Sequence, residues 1–74
     1  HVQVETLSTR EKMSEILVRI SNQKFVPLVS LLIREEGRLG VVVTFLAIME
    51  LMKDSLIEIV QSEAFGPIHL KSRS

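Results

Sequence analysis

The sequence predicts an α+β domain in which helices come first and a β-hairpin closes the chain. Two patterns support this class. Apolar residues recur every three or four positions up to residue 53, as on one face of a helix. After Asp54-Ser55 the period changes to two, as in a half-buried strand. With 74 residues the chain is long enough for one domain with a small core, and it is too short to enclose a deep cleft.

The first predicted helix begins at Ser8. Residues 8–11, STRE, have the form of a capping box, in which the Ser8 hydroxyl accepts from the Glu11 amide and the Glu11 carboxylate accepts from the Ser8 amide. The helix is predicted to end near Ser21-Asn22. Its apolar stripe, which should face the core, consists of Met13, Ile16, Leu17 and Ile20.

A second helix is predicted to follow a brief extended segment at residues 24–26. Pro27 suits the first turn of this helix, because the amide that proline lacks would have no acceptor there. Residues 34–38, REEGR, break the apolar pattern, and Gly40 marks the beginning of a third helix. The predicted buried side of the second helix consists of Leu28, Leu31 and Leu32.

The third predicted helix contains the apolar stretch LGVVVTFLAIMELM at residues 39–52. A membrane span requires about 20 apolar residues, so this stretch is predicted to be a core helix of a soluble domain. A rotation of 100° per residue divides the helix into two arcs. The inner arc is predicted to contain Val41, Val42, Phe45, Leu46, Ile48, Met49, Met52 and the stem of Lys53. The outer arc is predicted to contain Val43, Thr44, Ala47, Glu50, Leu51 and Asp54.

Two strands are predicted after the helices, at residues 56–61 and 68–71. In the first strand Ile57 and Ile59 share one face, which should be the buried one. In the second strand His69 should point away from the buried face. The connecting turn contains a Gly-Pro pair, which is a strong turn signal.

The predicted order of elements is helix, short strand, helix, helix, strand, strand. This is the order of a winged helix, a helix-turn-helix of three helices closed by a two- to three-stranded antiparallel wing. The winged-helix domain is predicted at residues 7–71, a disordered segment or linker remnant at residues 1–6, and a loose tail at residues 72–74. The chain begins with His1 instead of methionine, so we interpret it as a piece of a longer protein.

Composition and the chemical inventory argue against an enzyme. Nine Lys and Arg balance nine Asp and Glu, so no net field attracts a nucleic acid or an anionic membrane. The absence of cysteine excludes disulfides and thiolate zinc sites and favours a reducing cytoplasm. His1 and His69 lie far apart in the sequence, Glu35-Glu36 fall in a polar loop, and the three glycines form no phosphate-binding loop. We predict no catalytic residue, no metal and no cofactor.

The predicted outer arc favours a protein partner over DNA. A helix that reads DNA presents Arg, Lys, Asn or Gln to phosphates and base edges, whereas this arc combines apolar side chains with Glu50 and Asp54. An apolar face with a polar rim suits a protein partner. Three alternatives remain open. They are a DNA-binding winged helix of a regulator, a homodimerisation module, and an arc whose apolar residues pack inside the domain.

The chain resembles a known family at two motifs. Residues 38–51 read RLGVVVTFLAIMEL, and residues 61–70 read QSEAFGPIHL. They resemble the C-terminal domain of segregation and condensation protein A, the bacterial kleisin ScpA, in which VVVTFLALLEL or a near variant precedes a strand and a Q-x-x-x-F-G-x-I-x-L wing. The similarity covers residues 7–70, and Gly40 and Pro67 depart from it where the family often has an acidic residue.

The resemblance implies a protein-binding winged helix that docks on the ATPase head of an SMC protein. In this family a separate N-terminal domain binds the neck of the other SMC subunit, a central segment binds ScpB, and the closed ring organises chromosomal DNA. The domain would therefore meet DNA only indirectly, would work at the nucleoid in the cytoplasm, and would supply no chemistry. Self-association of the isolated domain stays open. The candidate contact residues are Val43, Ala47, Glu50, Leu51, Phe65, Ile68, His69 and Leu70.

Overall fold

The computed structural model describes residues 8–73, which fold into two α-helices and a three-stranded antiparallel sheet. The strand order is β1-β3-β2, so the last strand lies at the centre of the sheet. The α+β class predicted from the sequence is confirmed, and this arrangement is compatible with a winged helix. The predicted linker at residues 1–6 lies outside the described residues. The elements are α1 (Thr9–Asn22), β1 (Val26–Pro27), α2 (Gly37–Lys53), β2 (Ile57–Val60) and β3 (His69–Ser72).

Helix α1 begins and ends where the sequence predicts. The Ser8 hydroxyl accepts from the Glu11 amide at 3.4 Å, and the Gln23 amide closes the last turn by donating to the Arg19 carbonyl at 3.1 Å. These bonds satisfy backbone groups that a helix end otherwise leaves without partners. Ile16 and Ile20 are buried. The predicted stripe of α1 therefore packs on the core at Met13, Ile16 and Ile20, whereas Leu17 is exposed and its predicted burial is wrong.

The second predicted helix is wrong, because the chain forms only two short 3-10 turns there, Leu28–Leu31 and Arg34–Glu36. The Leu28 amide donates to the Ile68 carbonyl at 2.9 Å, which ties this point of the chain to the sheet. After the first turn Leu32 is extended, with a ψ of 110°. The segment is therefore bound to the sheet at Leu28 and extended at Leu32, so too few residues remain between these points for an α-helix.

Helix α2 begins at Gly37, three residues before the predicted boundary. Gly37 has a φ of +64°, a left-handed conformation that favours glycine, and it reverses the chain into the helix. Gly40 has a different role within the first turn. A Cβ added to Gly40 would overlap the Cβ of Glu36, so the glycine leaves space for the Glu36 side chain to cross the helix.

The predicted orientation of α2 is wrong for most of the helix. Val43, Thr44, Ala47 and Leu51 are predicted to face outward but are buried, whereas Ile48 is buried as predicted. The buried arc includes the small residues Gly40 and Ala47, and this is the side on which the rest of the domain packs. Small side chains allow neighbouring elements to approach closely, whereas the larger side chains remain outside. The buried residues of α2 are Gly40, Val43, Thr44, Ala47, Ile48 and Leu51. The exposed apolar residues of α2 are Val41, Val42, Phe45, Leu46, Met49 and Met52.

The sheet covers the core through its central strand. Leu70 in β3 pairs with Val26 on one side and with Ile59 on the other, and it is fully buried.

The sequence predicts a loose tail from residue 72, whereas β3 extends to Ser72 and the Arg73 amide donates to the Leu56 carbonyl at 3.2 Å. The core cluster consists of Ile16, Ile20, Val26, Leu31, Ala47, Ile48, Leu51, Ile57 and Leu70.

Neither of the two described α-helices combines the length and the apolar character that crossing a membrane requires.

Candidate protein-binding surface

The exposed side of α2 carries a continuous apolar strip, which we call the outer stripe. It consists of Val41, Val42, Phe45, Leu46, Met49 and Met52. The exposed fraction of these side chains ranges from 39% at Val41 to 61% at Met49. From Val41 to Met52 the stripe is about 16 Å long at the usual helical rise per residue. Six of the fourteen large apolar side chains that are exposed within residues 8–73 thus share this one helix face.

The charged groups of α2 are distributed unequally around this stripe. Rotation of 100° per residue places Arg38 and Lys53 within the arc of the stripe, one at each end. The acidic residues Glu50 and Asp54 lie on another side of the helix, where they line a groove together with Arg10 of α1. The outer face of α2 is therefore apolar along its length and basic at its ends.

The turn between β2 and β3 presents the most exposed apolar side chain of the described residues, Phe65. Its side chain is fully exposed, and its φ of +62° is left-handed, which is uncommon for a bulky residue. The turn is held by the Gly66 amide, which donates to the Glu63 carbonyl at 2.9 Å. The Gln61 side-chain amide donates to the Gly66 carbonyl at 2.8 Å. Hydrogen bonds on both sides thus fix a turn that holds an aromatic ring in solvent.

The predicted contact residues on α2 fall largely in the core. Val43, Ala47 and Leu51 are 3%, 0% and 0% exposed, so their predicted outward orientation is wrong. Both arcs of α2 are apolar, and packing selected the arc with the smaller side chains. Glu50 is half-buried in the groove beside α1. Contact with a partner through Val43, Ala47 or Leu51 would require a different packing of the helix, whereas a partner contact of Glu50 stays a prediction.

The predicted contact residues of the wing are divided between core and surface. Leu70 is fully buried, whereas Phe65 is fully exposed. Ile68 is half-buried, and its carbonyl is occupied by the amide of Leu28. His69 is half-buried and lies edge-on to the Phe25 ring, with 6.4 Å between the ring centroids. Partner contacts of these residues stay predictions, and Leu70 has no exposed surface to offer.

Sequence reasoning missed the outer stripe itself. The signal that identifies the correct face is the spacing of small residues, because Gly40, Thr44 and Ala47 recur at intervals of four and three. Such a row marks the side of a helix on which another element approaches closely. The larger residues opposite that row then form the accessible face.

A buried ion pair holds α1 against the start of α2. The Lys12 ammonium, in a residue only 4% exposed, donates to both carboxylate oxygens of Glu36 at 3.0 and 3.1 Å, and it lies 3.3 Å from a carboxylate oxygen of Glu15. Burial disfavours the charged amine, but the hydrogen bonds and charges of the two carboxylates outweigh burial and raise the pKa of Lys12. Lys12 is therefore a charged structural group between the helices.

No group of three or more His, Asp or Glu side chains within residues 8–73 is arranged to hold a metal ion. The fold and the exposed groups define a small α+β domain whose most distinctive surface is an apolar helix face.

Comparisons with known proteins give the family. Residues 1–72 match the family model described as "Segregation and condensation protein ScpA". The chain is 52% identical over 68 residues to segregation and condensation protein A of Xylella fastidiosa (strain 9a5c), covering 92% of this chain and 22% of that protein. It is 46% identical over 69 residues to the protein of the same name from Coxiella burnetii, covering 93% and 26%. For Listeria welshimeri the identity is 34% over 76 residues, covering 99% and 30%.

The chain belongs to the ScpA family. It spans between 22% and 30% of the length of these relatives.

Proposed function

We propose that this chain is the C-terminal winged-helix domain of a ScpA-type kleisin and that it docks on the ATPase head of an SMC protein. Family membership supports a role in chromosome segregation and condensation. The order of helices and strands is compatible with a winged helix. In this proposal the domain supplies no chemistry, ScpB binds other parts of the whole protein, DNA is met only indirectly, and the complex works at the nucleoid in the cytoplasm.

The outer stripe is the observation that carries the docking proposal. Large contiguous apolar patches on a soluble protein surface mark interaction sites, because exposed apolar area costs free energy in water. Met49 lies in the stripe and is 61% exposed. A specific interface of ordinary size buries about 800 Å² on each partner, with its apolar residues at the centre. A stripe along three turns of α2 suits the centre of such an interface.

The same surface is a poor match for duplex DNA. Only the two ends of the outer stripe carry basic groups, so the middle of α2 would place apolar side chains against phosphates and base edges. The turn between the last two strands carries Glu63 and Phe65 and no basic residue. DNA binding is therefore the control in the experiment below.

The test is a calorimetric titration of this chain against the SMC ATPase head from the same organism. Met49→Arg places a charge in the stripe and should weaken binding by about 2 to 4 kcal/mol, which is typical for a residue at an interface centre. Val29→Arg is the matched control, because Val29 is 74% exposed on a 3-10 turn outside α2. Circular dichroism should show that both variants remain folded.

Two results would contradict the proposal. One is the absence of binding between the wild-type chain and the head. The other is salt-dependent binding of duplex DNA by the wild-type chain, since the release of counterions on phosphate contact makes such affinity fall steeply with salt. Equal losses in Met49→Arg and Val29→Arg would instead exclude the outer stripe as the docking surface.

A further inference from the structure

We propose that the partner surface covering the outer stripe carries acidic side chains opposite both ends of α2, where they pair with Arg38 and Lys53. This inference rests on the docking function proposed above and specifies the chemistry of the partner. The surface it describes is an apolar patch flanked by two acidic positions, about 22 Å apart as set by the helical rise between residues 38 and 53.

The first argument is the position of the two basic residues. Arg38 lies one turn before the stripe begins at Val41 and Val42, and Lys53 lies one turn after Met49. Both residues are exposed. A partner that covers the stripe would bring its own surface within reach of both charged groups.

The second argument is that neither charge forms an ion pair within the described residues. Within residues 8–73, neither Arg38 nor Lys53 has a carboxylate within ion-pair distance. Lys12 and Lys71 do form ion pairs, with Glu36 and Glu58, whereas Arg38 and Lys53 are among the basic residues that have none. The two cations at the ends of the stripe are therefore available to a partner.

The third argument is that Arg38 is placed against the preference of its own helix. The amino-terminal end of a helix carries a partial positive charge, which favours acidic residues in the first turn and disfavours basic ones. The first turn of α2 contains Arg38 and no acidic residue. Lys53 stabilises the last turn of α2 in the usual way, but helix stability gives no reason for Arg38. Complementary charge on a partner gives one.

The fourth argument excludes a nucleic acid and an anionic membrane as occupants of the stripe. The chain has no net charge at neutral pH, and two cations separated by an apolar strip form no continuous basic track for a nucleic acid or an anionic membrane. An apolar protein surface fills the middle of the stripe, and acidic groups at its edge give the partner its orientation.

The experiment compares charge reversals by calorimetry against the SMC ATPase head, at low and at moderately high salt. The test variant is Arg38→Glu combined with Lys53→Glu. The control is Lys24→Glu combined with Arg73→Glu, which changes the net charge equally at exposed positions outside α2. We expect the test variant to bind about tenfold more weakly at low salt, and the difference to shrink as salt screens the charges. The control should bind with the wild-type affinity.

The possible outcomes separate this inference from the docking proposal. If the wild-type chain binds the head, Met49→Arg weakens binding, and the charge-reversed variant binds like the control, the docking proposal stands and the acidic border is refuted. If the wild-type chain does not bind the head, both are refuted. Binding of duplex DNA by the wild-type chain that is lost on reversal of Arg38 and Lys53 would assign these charges to phosphates and refute the inference as well.

Discussion

Replacing Glu36 by glutamine should destabilise the domain markedly, although Glu36 lies at the start of a helix and is not part of the apolar core. The substitution keeps the shape of the side chain and removes its charge. The buried Lys12 ammonium would then retain only the carboxylate of Glu15, whose side chain is 60% exposed. A buried charge with incomplete compensation is costly in a folded protein.

The expected loss in the free energy of unfolding depends on how exposed the Lys12–Glu36 ion pair is. Removing one partner of a buried ion pair costs about 3 to 5 kcal/mol, whereas exposed pairs contribute about 0 to 1 kcal/mol. The side chains of Lys12 and Glu36 are 5% and 19% exposed, so the pair is mostly buried, but Glu15 remains as a second partner. We expect the free energy of unfolding to fall by about 2 kcal/mol. A domain of this size has about 4 to 11 kcal/mol in total, so the loss is large.

Urea unfolding followed by circular dichroism measures this loss. Glu35→Gln is the matched control, because Glu35 is the neighbouring residue and is exposed. It should change the free energy of unfolding by less than about 0.5 kcal/mol. In a Lys12→Met background the effect of Glu36→Gln should largely disappear, because the charge that needs compensation is gone. Equal effects of Glu36→Gln and Glu35→Gln would refute the reasoning.

The remaining predictions concern the core, the sheet and the first turn of α2. Leu51→Ala should lower the free energy of unfolding by about 2 to 5 kcal/mol, whereas Met49→Ala on the outer stripe should change it by less than about 0.5 kcal/mol, both measured in urea. The hydrogen bond from Lys71 lowers the pKa of Glu58, so this pair stabilises the fold above the ordinary glutamate pKa of 4.5, and the contribution is lost as pH falls through the lowered pKa. Glu58→Gln should therefore flatten the fall of the thermal midpoint at acid pH, and an unchanged slope would contradict this. Gly40→Ala should destabilise the domain despite the better helix propensity of alanine, because the new Cβ displaces the side chain that pairs with the buried ammonium, and a higher thermal midpoint would contradict this.

Sequence patterns predict the ends of helices and strands well where the interactions that determine those ends are local. The capping bond of Ser8 and the end of α1 near Asn22 depend on residues within one helical turn. The change to a period of two predicted both strands of the hairpin to within two residues at each end. Such signals are readable because neighbours in the sequence are also neighbours in space.

Features that depend on distant residues could not be read in the same way. The predicted second helix does not form, because the Leu28 amide donates to the carbonyl of Ile68, forty positions along the chain. The burial of Lys12 depends on Glu36, which the sequence places in a polar segment. For the candidate site, the sequence leaves open whether Phe65 is exposed or packs beneath the wing, and it predicts the wrong rotation of α2. The two arcs have similar apolar content, so hydrophobicity alone gives no preference between them, and only the row of Gly40, Thr44 and Ala47 indicates the arc on which α1 and the sheet pack.

The buried hydroxyl of Thr44 has a consequence for how quickly α2 opens. Thr44 is fully buried, and its side-chain oxygen has no hydrogen-bond partner among the described residues. An unsatisfied buried polar group costs about 1 to 3 kcal/mol, and valine has nearly the same shape without that cost. Thr44→Val should therefore raise the free energy of unfolding. The gain should appear as slower amide hydrogen exchange along α2, because exchange there is governed by the free energy of opening.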